Sequence, residues 1–160
     1  MREAIGGTWL FGLVITFIVF FASFLAISIN YSKAFNVKNN IVDLISKYEG
    51  NNCNAREKIS NYLKNTGYLV LNKCESDDGY TYQGYDLKGD PVPPGKKAYY
   101  CISKDSTDND TVIDKNFYRV KIFFRLDLPI VGDLFTFDIK GETESISFPH
   151  DYLKNCNIGG

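Results

Sequence analysis

Few side chains in this sequence of 160 residues could do chemistry, and they are scattered. The one histidine, His150, follows Pro149 near the C-terminus. Beside a cysteine held as a thiolate it could serve nucleophilic catalysis. The cysteines are Cys53, Cys74, Cys101 and Cys156, an even set that two disulfides explain more simply. There is no C-x-x-C or Cys/His ligand spacing for zinc. Neither the phosphate loop G-x-x-x-x-G-K-S/T nor the dinucleotide pattern G-x-G-x-x-G occurs. Asp77-Asp78 and Asp105, Asp108 and Asp110 could ligate calcium, an ion that prefers carboxylate oxygens. The second set lacks the glycine and terminal glutamate of an EF-hand loop, so solvated loop carboxylates are expected. Carboxylate pairs for glycoside hydrolysis are defined by geometry, which spacing alone does not supply. The expectation is therefore a protein that is not an enzyme, with no catalytic residue, no metal and no cofactor.

Binding residues are better represented. All eleven tyrosines fall at Tyr31 or later. Tyr80, Tyr82, Tyr85, Tyr99 and Tyr100 flank the Pro/Gly run Gly89–Gly95. Tyrosine offers a large rigid contact area with a polar handle, so these five form a candidate binding surface. Cross-strand packing inside a small sheet is the simpler role. Arg119, Lys121 and Arg125 alternate along one run and are expected on a solvated sheet face, or opposite acids on adjacent strands. A pI of about 5.8 gives no basic footprint, so no nucleic-acid partner is expected.

The elements that must hold these residues divide sharply by charge. Ala4–Ser32 is 29 residues without a charged side chain. The net charge of -1 and 44% hydrophobic content average this run with a polar domain. Trp9–Ile29 reaches about 31 Å as a helix, the thickness of a bilayer's hydrocarbon. Trp9 and Tyr31 stand at its ends, where amphipathic aromatics favour headgroups. The lipid bilayer is thus the first expected partner. With one such run, a multispanning transporter is excluded; the chain is also too short for a large multidomain enzyme. A cleaved signal peptide competes through the small residues at Ala26-Ile27-Ser28, but its apolar region would be only about 7–15 residues. Thr8, Gly12, Thr16, Ala22 and Ala26 are small residues spaced for close helix–helix approach.

Two signals oppose each other on orientation. Lys33, Lys38 and Lys47 after the span, against Arg2 before it, favour an internal domain. The four cysteines favour an external, oxidising compartment, and they carry more weight. The expected location is the cell membrane, single-pass, N-terminus inside and C-terminal domain outside.

The helix is expected to continue past the membrane. Ala34, Val37, Ile41, Leu44 and Tyr48 repeat at helical spacing, with Phe35, Val42 and Ile45 widening the stripe. Gly50 is the expected C′ residue. Asn54 and Glu57 look like a capping pair for a second helix over 55–66, ended by Gly67. Tyr68–Cys74 reads as a strand returning along that helix, which would bring Cys74 to Cys53 and leave Cys101 for Cys156. Four cysteines nonetheless allow three pairings. Lys97–Ser103 is a further strand. Phe117–Leu128 alternates Tyr118, Val120, Ile122, Phe124 and Leu126 with Arg119, Lys121, Phe123 and Arg125, a half-buried strand with a basic outer face. Leu134–Ile139 and Glu142–Phe148 flank Gly141 as two more.

The layout resembles a type IV pilin or pseudopilin. TWLFGLVITFIVFFASFLAISINYSKAFNVKNNIVDLI resembles TadE-like membrane proteins of tight-adherence pilus assembly, and FYRVKIFFRLDLPIVGDLFTFDIKGETESI is similar to their C-terminal sheet. Prepilin peptidase substrates carry glutamate five residues after the cleavage glycine; here Gly6 is followed by Phe11 and Gly7 by Gly12. The resemblance therefore implies an accessory pseudopilin or assembly factor of a bacterial pilus or secretion apparatus, with other pilin-like helices as partners. A membrane-tethered extracellular adhesion or sensor domain, binding through the tyrosines, is the alternative; an external hydrolase has the least support. The expected fold is α+β: residues 1–8 a cytoplasmic tail, 9–31 the transmembrane helix, 32–50 its amphipathic extension, and 51–160 an extracytoplasmic domain. In this pilin-like arrangement a second short helix precedes an antiparallel sheet of about 4–5 strands.

Overall fold

The computed structural model describes residues 2–77, 79–107, 115–128 and 132–147. Helix α1, Arg2–Lys47, is one unbroken element of 46 residues, about 69 Å long at the standard rise. No glycine or proline follows Gly12 within it, so nothing interrupts its hydrogen-bond ladder. Its N-terminal part leaves Trp9, Leu10, Phe11, Leu13, Phe17 and Phe20 exposed. An 18-residue stretch of α1 reaches a mean hydropathy of 2.7, and α1 is the one helix among the described residues long and apolar enough to cross a membrane.

Past Ser32 the helix changes role. Ala34, Val37, Ile41 and Ile45 are fully inaccessible. At 3.6 residues per turn they form one row, and burying each Val or Ile contributes about 2 kcal/mol. The stripe ends on Ile45, whereas Leu44 and Tyr48 were expected to carry it; they flank the row and are half-buried. The C-terminus closes in a Schellman arrangement, Gly50 N–H donating to Ile45 O at 2.9 Å and Glu49 N–H to Ser46 O at 3.2 Å. The left-handed C′ position belongs to Glu49, φ 53°, one residue before the glycine expected there.

Helix α2 is Cys53–Thr66. Its N-cap is Asn52, whose side chain accepts from Ala55 N–H at 3.0 Å. Asn54, the expected cap, is already inside the first turn because Cys53 is helical. Gly67 ends α2 in the left-handed region as expected, φ 63°, donating to Leu63 and Lys64 carbonyls. Ala55, Ile59 and Leu63 face inward.

Among the described residues eight strands follow: β1 Asn72–Lys73, β2 Gln83–Tyr85, β3 Pro91–Val92, β4 Lys97–Ala98, β5 Tyr100–Thr107, β6 Lys115–Leu128, β7 Gly132–Glu142 and β8 Ile146–Ser147. The main sheet has six strands in the order β3-β2-β5-β6-β7, with β8 also on β6. Strands β1 and β4 form a separate pair, and every pairing is antiparallel. The architecture is α+β with more strands than expected, four of those described being only two residues long. The run from Tyr68 keeps strand pairing only at Asn72–Lys73. Strand β7 passes through Gly141 unbroken, because that glycine leaves room for the Lys38 side chain.

The sheet is covered on both faces. On the front, Tyr85, Tyr100, Ile102, Tyr118, Val120, Ile122, Phe124 and Ile139 meet the α1 row with Ile59 and Leu63. On the back, Tyr82, Cys101 and Phe123 cluster with Val70, Cys74 and Tyr80. The expected solvated back of β6 is thus closed at Lys121 and Phe123, since segment 70–82 crosses it.

Two glycines mark the tightest approaches. A Cβ at Gly84 would meet Ala98 Cβ at 2.7 Å and Cys74 Sγ at 3.0 Å. One at Gly141 would meet Lys38 Cδ at 2.6 Å. A strand side chain and a disulfide cannot yield, whereas a lysine stem can. Gly84→Ala should therefore cost about 1–3 kcal/mol in chemical denaturation, and Gly141→Ala clearly less. Equal losses would contradict this packing.

Candidate functional site

Antiparallel register brings the charged residues together behind the sheet. Strand β6 sets Lys121 opposite Lys140 and Arg119 opposite Glu142 on β7, and Cys101 of β5 opposite Lys121. Two lysines face to face repel. The segment that crosses the sheet supplies the compensation. Asp77 pairs with Lys140 and lies 3.6 Å from Lys121 Nζ. Lys121 Nζ also donates to Glu75 O at 3.2 Å and stands 3.9 Å from Asp138. Its stem is buried, 4% exposed, with the ammonium 4.3 Å from the Tyr82 ring centroid. A buried lysine persists only when its charge is met by such partners. Arg119 lies 3.4 Å over the Tyr80 ring and donates to Glu142 at 3.1 Å.

The hydrogen bond from Lys140 holds the Asp77 carboxyl below its ordinary value despite some desolvation, with Lys121 adding to the effect. A carboxylate depressed in this way stabilises the fold at neutral pH, and that stability is lost as pH falls through the lowered value.

The disulfide here is Cys74–Cys101, with Cα atoms 5.8 Å apart. Cys53 is disulfide-bonded too, and not to Cys74. Cys156 lies outside the described residues. The expected Cys53–Cys74 pair is therefore corrected. Chain 68–74 does not return along α2: Tyr68 donates to the Phe123 carbonyl of β6, and β1 pairs with β4. This carries Cys74 across to β5. The bond ties the crossing segment to the sheet beside the charge cluster.

The tyrosines do not form the expected surface. Tyr82, Tyr85 and Tyr100 are buried, and Tyr80 and Tyr99 are half-buried. Tyr85 and Tyr100 stack at 5.3 Å within the front core. Cross-strand packing uses the area that binding would have needed. Asn51 Nδ2 donates to Tyr85 Oη at 2.7 Å, joining the α1–α2 turn to β2. Tyr100 is completely buried, its hydroxyl has no hydrogen-bond partner among the described residues, and burial pushes its ionisation well above the usual range.

Chemically, the cluster behind the sheet offers compensated charges. Its job is to hold a strap, and sequence reasoning missed Asp77, Asp138 and Lys140 as its members because Asp138 and Lys140 reach it through strand register and Asp77 through the crossing segment. Among the described residues no group of three His, Cys, Asp or Glu side chains could hold a metal ion. Asp105 lies on β5, while Asp78, Asp108, Asp110 and His150 lie outside the described residues.

The other candidate surface is on α1. Thr8, Gly12 and Thr16 are exposed and line a shallow groove with Trp9, Leu13, Phe17 and Phe20. Thr16 Oγ1 donates to Gly12 O at 2.9 Å, which hides its polar group. A Cβ at Gly12 would touch nothing within 4 Å. Ala22 is also exposed, but Ala26 is half-buried by the protein itself.

Two measurements address the charge cluster and the core. Asp77→Asn should flatten the loss of stability on acidification below about pH 4, where a depressed carboxylate is protonated. An unchanged acid limb would remove Asp77 from the network. Tyr100→Phe should leave the unfolding free energy unchanged or raise it by up to about 1 kcal/mol, because a buried hydroxyl without a partner costs free energy. A clear loss of stability would mean the hydroxyl is bonded.

No known protein family, no curated protein and no solved structure matches the chain.

Proposed function

We propose that the chain is a single-pass membrane protein with its N-terminus inside and its α+β domain outside the cell. In this reading it acts without catalysis, as an accessory pseudopilin or TadE-like assembly factor of a bacterial pilus or secretion apparatus. Its partners are the bilayer and neighbouring pilin-like helices. The observation that carries the reading is α1: an exposed apolar helix bearing a small-residue groove, continuous with the row that anchors the sheet.

Each part has its own support. An exposed apolar face of this size needs lipid or protein to cover it. The Thr8–Gly12–Thr16 groove suits close helix contact, since Thr16 Oγ1 already donates along its own helix. The Cys74–Cys101 disulfide supports an oxidising exterior. A rigid connection between α1 and the domain would let packing in the membrane set the domain's position. The missing glutamate after Gly6 and Gly7 favours an accessory role over polymerisation.

Gly12→Leu is the direct test. Its side chain would meet open space in the free protein, so the fold should be untouched. Crosslinking between membrane helices in cells should fall several-fold, and pilus assembly or secretion with it. Unchanged crosslinking and assembly would sink the packing role. An impermeant thiol reagent, applied to intact cells, should label only after external reduction. Labelling only after lysis, without reduction, would reverse the orientation.

A further inference from the structure

The long β6–β7 hairpin runs down α1, toward the segment read above as membrane-spanning. Two contacts fix its direction. Tyr31 meets Phe124 edge-on, ring centroids 5.9 Å apart. Lys38 lies on Gly141, which pairs with Val120. Seven residues down the helix, about 10 Å, thus match four residues along β6, about 13 Å of strand. The hairpin does not stop at Phe124. Strand β6 continues to Leu128, paired with Gly132. Four more strand residues lower it by about another 10 Å, level with Phe24. Phe24 is inside the uncharged run.

Burial along α1 agrees independently. Val19, Ser23, Ala26, Ile27 and Asn30 are half-buried, while Phe20, Phe21, Phe24, Leu25, Ser28 and Ile29 are exposed. The half-buried positions extend the Ala34–Val37–Ile41 row toward the N-terminus at helical spacing. That row is the face that meets β6 and β7.

We propose that the end of this hairpin, residues 125–128 with 132–136, is a second membrane contact, seated in the lipid headgroup layer against α1. The proposal rests on the reading that α1 spans a bilayer. This stretch mixes Leu126, Leu128, Leu134 and Phe135 with Arg125, Asp127 and Asp133, a composition suited to the headgroup layer rather than to hydrocarbon. Just above it lies an aromatic girdle of Tyr31, Phe35 and Phe137, exposed by 49%, 41% and 43%, with the Lys38 ammonium 4.2 Å over Phe35. Aromatic rings and cations of this kind favour the interface. Two features limit the depth. Strand β5 leaves β6 at Ile122, so among the described residues no third strand pairs with the hairpin beyond it. A two-stranded ribbon carrying Asp127 in register with Asp133 needs headgroups or water, not hydrocarbon.

This also accounts for an excess of length. A span needs about 20 apolar residues, and Ala4–Ser32 has 29 without charge. With the hairpin at headgroup depth, residues 4–24 fill the hydrocarbon. Residues 25–32 then stand in the interface, one face covered by the hairpin.

The test uses the full chain in phospholipid nanodiscs, its native cysteines kept oxidised. Single added cysteines at Phe17, Lys104, Leu128 and Thr136 carry a nitroxide. Collision with oxygen, enriched in lipid, is compared with collision with a water-soluble nickel chelate. Phe17 should read lipid and Lys104 water. Leu128 and Thr136 should read headgroup depth, with oxygen-to-nickel ratios several-fold above that at Lys104. Should Leu128 and Thr136 match Lys104 while Phe17 reads lipid, the second contact is wrong and the span stands. Should Leu128 lie as deep as Phe17, the headgroup placement is wrong. A water reading at Phe17 would instead overturn the span itself. If the Leu128 label disturbs folding, seen as loss of the Cys74–Cys101 bond, the exposed Thr136 decides alone.

Discussion

One row of side chains on one helix is the contact on which the structure depends. Ala34, Val37, Ile41 and Ile45 are removed from water by the sheet, and the sheet's front face is removed by them. Neither surface is stable in water alone: a half-apolar helix and a small twisted sheet each need the other's cover. Because the row belongs to the same rigid helix that carries the exposed apolar segment, the sheet inherits its position from that segment. Helix α2 fills the remaining front with Ile59 and Leu63, and its caps at Asn52 and Gly67 fix where it begins and ends.

The back of the sheet is closed by different means. The segment from Val70 to Tyr82 is too short and too polar to bury a row of its own. It is held by a disulfide at Cys74, a cluster of rings, and the Lys121–Asp77–Lys140 charges. Opposed lysines weaken the β6–β7 pairing; Asp138 within it reaches only Lys121, and Asp77 from the strap meets both, so strand register and strap depend on each other. The half-exposed pairs are screened and worth little singly. The constrained one is Lys121, because an unpaired ammonium at that depth would be costly.

Toward the N-terminus of α1 the same helix row continues under the hairpin. On the proposed membrane reading, the uncharged run would have two environments, lipid all round for one part and lipid with protein for the other. The groove at Thr8, Gly12 and Thr16 lies farther down on the same side, beyond the reach of the hairpin level with Phe24. On the proposed reading, contact with its own sheet and contact with neighbouring helices would follow one another along one face rather than compete for it.

Much of this was legible in the residues. The uncharged run, the unbroken helix, the Gly67 stop and the alternation of Tyr118, Val120, Ile122 and Phe124 are patterns among near neighbours, and local geometry turns them into elements directly. Ala34, Val37 and Ile41 of the expected stripe are in the row; Ile45 belongs to the row rather than beside it, Leu44 and Tyr48 flank it, and Phe35 is exposed. What sequence reading missed has a common origin. The Cys74–Cys101 bond, the buried Lys121 and Phe123, and the buried Tyr82, Tyr85 and Tyr100 depend on which distant segment crosses which face. Periodicity says that a strand has two faces but not what will cover the second. By itself the sequence determined the apolar helix and the alternating strand; the partners of the cysteines, tyrosines and lysines were decided only by the tertiary structure. The physical reason is that desolvation acts on surfaces, and those surfaces exist only once remote parts of the chain have met.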